Sequence, residues 1–144
     1  MEISENVSLL TSKNADEGCA AFKKLLEASE AGPEVYEHME YLLFLTEDKS
    51  SFVRTRALLL IIANAKWDRL ELIDASREKL LSHITDEKPI TARQFIQSLP
   101  SLAAQKPGLR DEIAKRLRNA DFSGYKDSMR PLLEKDREKA LEKI

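Results

Sequence analysis

Apolar residues recur at three- and four-residue spacing along almost the whole chain, the period of an α-helix with one buried stripe. Cys19, Phe22, Leu25 and Leu26 share one face, and Val35, Met39, Leu42 and Leu43 another. Leu70, Ile73, Leu80, Leu81 and Ile84 continue the pattern, followed by Leu109, Ile113 and Leu117, then by Met129, Leu132, Leu133, Ala140, Leu141 and Ile144. No stretch of four or more residues alternates as a half-buried strand would. Punctuation falls where helices should end: Gly32-Pro33, the polar runs Thr46 to Ser50 and Thr85 to Pro89, Lys106-Pro107-Gly108, and Ala120 to Gly124. The spacing predicts eight helices, at about 3–10, 15–31, 34–45, 51–66, 69–84, 89–105, 108–119 and 126–143. Pro100 falls inside the sixth and is expected to kink it or split it, because a proline removes one helical hydrogen bond and crowds the preceding turn.

The chain also repeats. A shift of 39 residues lays Thr46-Glu47-Asp48-Lys49 over Thr85-Asp86-Glu87-Lys88, identical or charge-conserving at all four positions. The match runs on as Val53-Arg54 over Ala92-Arg93, Leu60 over Leu99 and Ala65 over Ala104. A further shift of 37 brings Met129-Arg130 into the same register, with Asp121 and Asp127 upstream. A period in this range signals stacked supersecondary units.

A turn acid followed by Val-Arg and then an apolar residue three positions on resembles the second helix of a HEAT repeat. Here it reads Asp48, Val53, Arg54, Ala57 and Leu60-Ile61. The second copy departs at Ala92, the third has Met129 for Val, and residues 1–31 carry Gly18-Cys19 where Val-Arg would stand. The resemblance implies an all-α, right-handed α-solenoid of about four antiparallel helix pairs with the armadillo-type fold, forming one domain over 1–144. The pairs would be 1–31, 33–66, 69–105 and 108–144. It also implies a non-enzymatic protein-interaction module or accessory subunit that binds a protein partner on its concave face. In HEAT families the repeated arginine makes a ladder. Arg54, Arg93 and Arg130 would each reach an acid in a turn, such as Asp48, Glu87, Asp121 or Asp127; the other use of such a row is to bind phosphate.

The concave stripe follows from register. With Arg54 in the seam between repeats, Thr55, Leu59, Ile62 and Lys66 lie about 100° round the same helix. The 39-residue shift carries them onto Gln94, Ser98, Ser101 and Gln105. Extended to the end repeats, the stripe adds Ala20, Lys24, Glu27 and Ala31, and Pro131, Lys135, Glu138 and Glu142, so its charges cancel. An apolar centre with a polar rim suits a protein interface, although Leu59 and Ile62 would serve equally well as core.

Composition limits the alternatives. The net charge of −2 provides no global attraction to nucleic acid or anionic lipid. Some HEAT-like proteins are glycosylases that remove alkylated bases from DNA, which makes nucleic-acid binding or DNA repair the alternative function, but a neutral stripe argues against it. The chain also resembles short bacterial HEAT-like proteins labelled as relatives of the iron–sulfur assembly proteins SufB and SufD. Its single cysteine, Cys19, cannot hold a cluster alone and is expected to be a buried thiol, so no cofactor is expected. Glu34 and His38 make only half a metal site, and His83 has no ligand-spaced partner, so no metal is expected either. No phosphate loop or nucleophile motif is present, so no catalytic residue is assigned. Trp67 is expected to anchor the core and Asp68 to cap the next helix. The longest apolar run, Ala57 to Ala65, is far short of the roughly 20 residues a bilayer needs. With no basic, apolar leader at Met1 to Glu5, a cytoplasmic location without membrane contact is expected.

Overall fold

A computed structural model describes residues 2–144. It is all-helical, with no strand among the described residues. Two compact units divide the chain, residues 1–75 and 76–144.

The first unit contains α1 (Ile3–Ser8), α2 (Ala15–Ala31), α3 (Met39–Leu45), α4 (Ser51–Ala63) and α5 (Leu72–Ala75). Short 3-10 turns extend α1 (Leu9–Thr11), precede α3 (Val35–His38) and follow α4 (Ala65–Trp67). Helix α2 packs on α1 and on α4, and α3 packs on α4. The reason lies in α4, which is apolar nearly all round: Val53, Ala57, Leu58, Leu60, Ile61 and Ile62 are buried, as a central helix requires. Asn64, which interrupts this apolar run, is buried too. Its Nδ2 donates to the Leu60 carbonyl (2.8 Å) and to Ser29 Oγ on α2 (2.9 Å). Trp67 Nε1 donates to the Ser29 carbonyl (2.8 Å), so the indole anchors the end of α4 to α2 as its position in the sequence suggested.

Asp68 is the N-terminal anchor expected for the next helix, and it does more than cap. Its carboxylate accepts Leu72 N and Ile73 N at 3.0 Å each and the buried Tyr36 hydroxyl at 2.6 Å. The continuous helix expected over 69–84 does not form. Glu71 takes a left-handed backbone, φ 55°, and Ser76 separates α5 from the next helix.

The second unit contains α6 (Arg77–Leu81), which runs into a 3-10 turn (Ser82–Thr85), then α7 (Pro89–Gln105), α8 (Arg110–Asn119) and α9 (Arg130–Lys143). Helix α7 is its centre and packs on α8, on α9 and on the 82–85 turn. Pro100 does not split it: the helix runs on through the proline to Gln105. Buried residues flank the proline on both sides, Ala92, Phe95, Ile96 and Leu99 before it and Leu102 and Ala103 after it. Burying these side chains outweighs the roughly 3 kcal/mol that an internal proline costs.

One polar cluster ties the 120–129 connection to this unit. His83 Nδ1 lies 2.8 Å from Asp86 Oδ1, and the Tyr125 hydroxyl donates to the Asp86 carbonyl. Burial, reinforced by the Asp86 charge, pushes the Tyr125 phenol up to about 12. An unfolded tyrosine ionises near 10, so between pH of about 10 and 12 the folded chain keeps a proton that the unfolded chain has lost. Stability should therefore fall as pH rises through this window. Tyr125→Phe should show a shallower fall, besides losing about 1 kcal/mol at neutral pH from the missing hydrogen bond. Urea unfolding of both proteins from pH 8 to pH 11.5 checks this; parallel curves would rule it out.

Candidate interaction surface

The repeated turns place their acids alike, but one residue away from the expected register. Asp48 Oδ2 accepts Ser50 N and Asp86 Oδ2 accepts Lys88 N, both at 2.9 Å, and the helices that follow begin at Ser51 and Pro89. These equivalences are 38 residues apart, not 39. Burial agrees: Val53, Arg54, Ala57, Leu58 and Ile61 map by 38 onto Thr91, Ala92, Phe95, Ile96 and Leu99, all buried. A shift of 39 would pair the buried Leu58 with the exposed Gln97.

The three arginines consequently do different things. Arg54 is buried, and its Nη1 donates to the carbonyls of Asp48 (3.0 Å) and Lys49 (3.2 Å), the structural role expected of it, met by turn carbonyls. Arg93 is not its counterpart, since Ala92 holds that place. It reaches away from the turn to Asp136 on α9, Nε to Oδ2 at 2.6 Å, and the bond holds the guanidinium above its ordinary value. Arg130 pairs locally with Asp127 at the surface. Of the three, Arg130 reaches a turn acid expected for it, Asp127, whereas Arg93 reaches an acid on α9 instead.

The expected stripe fares unevenly. Ile62 is only 4% exposed, so it belongs to the core and offers no contact surface. Thr55 and Leu59 are half-buried, and the Thr55 hydroxyl is bonded to the Ser51 carbonyl. Lys66 is exposed but ion-paired with Glu30 at 3.2 Å. In the second unit Gln94, Ser101 and Gln105 are exposed and Ser98 is half-buried, a polar row with no apolar centre. Cys19 is a further correction: it is exposed. The buried face of α2 runs through Gly18, Ala21, Leu25 and Ser29, one position round from the expected face. The Arg56 guanidinium lies against Gly18, where a Cβ would meet its Nη1 at 2.4 Å and push the end of that side chain aside.

The apolar surface that does face solvent lies elsewhere. Phe44 and Phe52 are each 72% exposed and Tyr41 is 38% exposed. Tyr41 and Phe44, three residues apart on α3, stack with ring centroids 6.3 Å apart and planes at 22°. Glu37 and Glu40 are exposed, each four residues before one of the rings, and form no ion pair among the described residues. The opposite face of α3 buries Met39, Leu42 and Leu45, so the rings cannot turn inward. The signal in the sequence was Tyr-Leu-Leu-Phe-Leu at 41–45, apolar on every side of a helix that buries one side only.

A groove of about 380 Å³ beside Phe52 includes Lys13, Lys49 and Arg56. The two helices that start there are already capped, Asn14 accepting Glu17 N and Ser50 accepting Val53 N. Asp48 also lines the groove, and Arg56 is committed to the Leu10 carbonyl. The groove is therefore a poor anion site.

The near-neutral total conceals a division. Residues 1–75 hold 8 Lys and Arg against 14 Asp and Glu, a balance of −6; residues 76–144 hold 15 against 11, a balance of +4. Among the described residues no helix is long and apolar enough to cross a membrane, and no three His, Cys, Asp or Glu side chains gather as metal ligands would. No family model, curated protein or solved structure matches the chain.

Proposed function

We propose that this chain is a non-enzymatic protein-interaction module, a short right-handed HEAT-like solenoid, working in the cytoplasm without a cofactor. The observation that carries this reading is the solvent-facing Tyr41–Phe44 pair on α3. Two large stacked rings left in water gain most by being covered, and aromatic anchors dominate protein interfaces. The contact surface is then the outer face of α3, in place of the stripe centred on Leu59 and Ile62. The repeated Asp48 and Asp86 turns, each opening a long buried helix, support the repeat architecture. A binding role also fits the buried polar groups, because Asp68, His83, Asp86 and Asp136 are engaged in helix-end and interhelix bonds.

Tyr41→Ser with Phe44→Ser tests the site. Both positions are exposed, so stability should change by no more than about 0.5 kcal/mol per site. The partners that the tagged wild-type protein retains should be lost by this double variant and kept by Leu59→Asp. Partners that survive the double variant would place the interface elsewhere.

The alternative, nucleic-acid binding, draws on the +4 balance of the second unit and on Arg110, Lys115 and Arg118, exposed on α8. It predicts a salt-dependent mobility shift with duplex DNA that is weakened by Arg110→Ala with Arg118→Ala.

A further inference from the structure

We propose that the partner segment seated on α3 is a basic amphipathic helix. It would place an apolar side chain against the Tyr41 and Phe44 rings and Lys or Arg side chains against Glu37 and Glu40. The inference rests on the interaction reading above and adds the chemistry of the partner. Glu40 and Phe44 stand one turn apart on α3 with Tyr41 next to Glu40, and Glu37 lies in the 3-10 turn that leads into the helix; all four are exposed. A purely apolar partner covering the rings would strip water from two carboxylates and give them nothing in return. A partner that brings cations satisfies them, and the same cations gain from lying over the ring faces.

Other partner classes fit this face poorly. The first unit carries a balance of −6, which repels nucleic acid and anionic lipid. Strand addition needs a sheet edge, and the described residues contain no strand. A helix laid along a helix needs only the three- and four-residue spacing that Glu40, Tyr41 and Phe44 provide.

The test uses the full chain, isotope-labelled, and two synthetic helical peptides: one of leucine and lysine in amphipathic order, the other with glutamate for each lysine. The leucine–lysine peptide should bind saturably, with amide shifts centred on residues 37–48, and the glutamate peptide should not bind. Phe44→Ser should weaken the first peptide about tenfold, as loss of an aromatic anchor does. Glu37→Gln with Glu40→Gln should weaken it roughly three- to tenfold. Glu5→Gln with Glu27→Gln, which removes the same charge elsewhere in this unit, should change it less than about twofold.

Equal weakening by the two glutamine pairs would overturn the proposal in favour of attraction by the unit as a whole. Binding of the glutamate peptide at the same face, lost in Phe44→Ser, would overturn the basic partner and leave the interaction surface standing. Binding unaffected by Phe44→Ser would overturn both. Self-association of the free chain, abolished by Phe44→Ser in sedimentation experiments, would identify a second copy as the occupant and overturn the proposal.

Discussion

Alanine in place of Asp68 should destabilise the chain by about 3–5 kcal/mol, far more than the roughly 1 kcal/mol typical of a helix cap. The carboxylate accepts both Leu72 N and Ile73 N, and it also takes the Tyr36 hydroxyl from 32 residues away. Removing it takes away the acceptor of a buried phenol and of the two N–H groups at the start of α5. It also leaves the turn that holds Glu71 left-handed without its anchor, in a backbone region that costs a residue with a side chain about 1–3 kcal/mol. Tyr36→Phe removes the hydroxyl that donates to Asp68 and accepts Leu70 N and should cost about 1–2 kcal/mol, and Asp68→Asn should fall between the two. Urea unfolding followed by circular dichroism ranks the three. Equal effects of Asp68→Ala and Tyr36→Phe would mean that the helix start draws nothing from Asp68.

How much of this could be read from sequence depended on the distance over which each feature is determined. Helices α2 and α7 fall at the expected residues, because caps and turn residues act within one helical turn. The start of α4 at Ser51 was legible for the same reason, whereas its end comes at Ala63, before a 3-10 turn and three residues short of the expected 66. The 69–84 segment was not, because its break comes from Glu71 and Ser76, which carry no Gly or Pro signal. The repeat was visible and its register was wrong by one. Thr-acid-acid-Lys reads alike in both copies, but it is an aspartate that accepts the backbone N–H two residues on, and the two aspartates sit at different places in the tetrad. That single step gave Arg93 the place that burial gives to Ala92, and it set Gln94, Ser98, Ser101 and Gln105 where a shift of 38 sets Arg93, Gln97, Pro100 and Ala104.

Cys19 and the α3 rings show a second kind of limit. Periodicity finds an apolar face but not which of two overlapping faces meets a neighbour. On α2 the small residues Gly18 and Ala21 are buried, Gly18 against Arg56 from 38 residues away in the chain. On α3 the aliphatic residues face inward and leave the aromatic ones outside. Net charge misleads in the same way. A sum of −2 hides units of opposite sign, because the dividing line lies inside a segment that the periodicity read as one helix.

The largest effect in the second unit should come from Arg93. Asp136 is 7% exposed, lies on α9 against α7, and accepts from Arg93 and from Gln97 Nε2 at 3.3 Å. Arg93→Met leaves that carboxylate buried without its cation. Breaking such a pair from one side costs about 3–5 kcal/mol when fully buried, and about 2–4 kcal/mol here, because Arg93 keeps 27% of its side chain in water. The reverse change, Asp136→Leu, should cost only about 1 kcal/mol, because Arg93 is near enough to the surface to hydrate. The double variant should lie closer to wild type than Arg93→Met does, since no unpaired charge remains inside. The double variant provides the discriminating measurement: in urea unfolding it should be more stable than Arg93→Met alone. A double variant no more stable than Arg93→Met would mean that Arg93 contributes packing by its aliphatic stem alone.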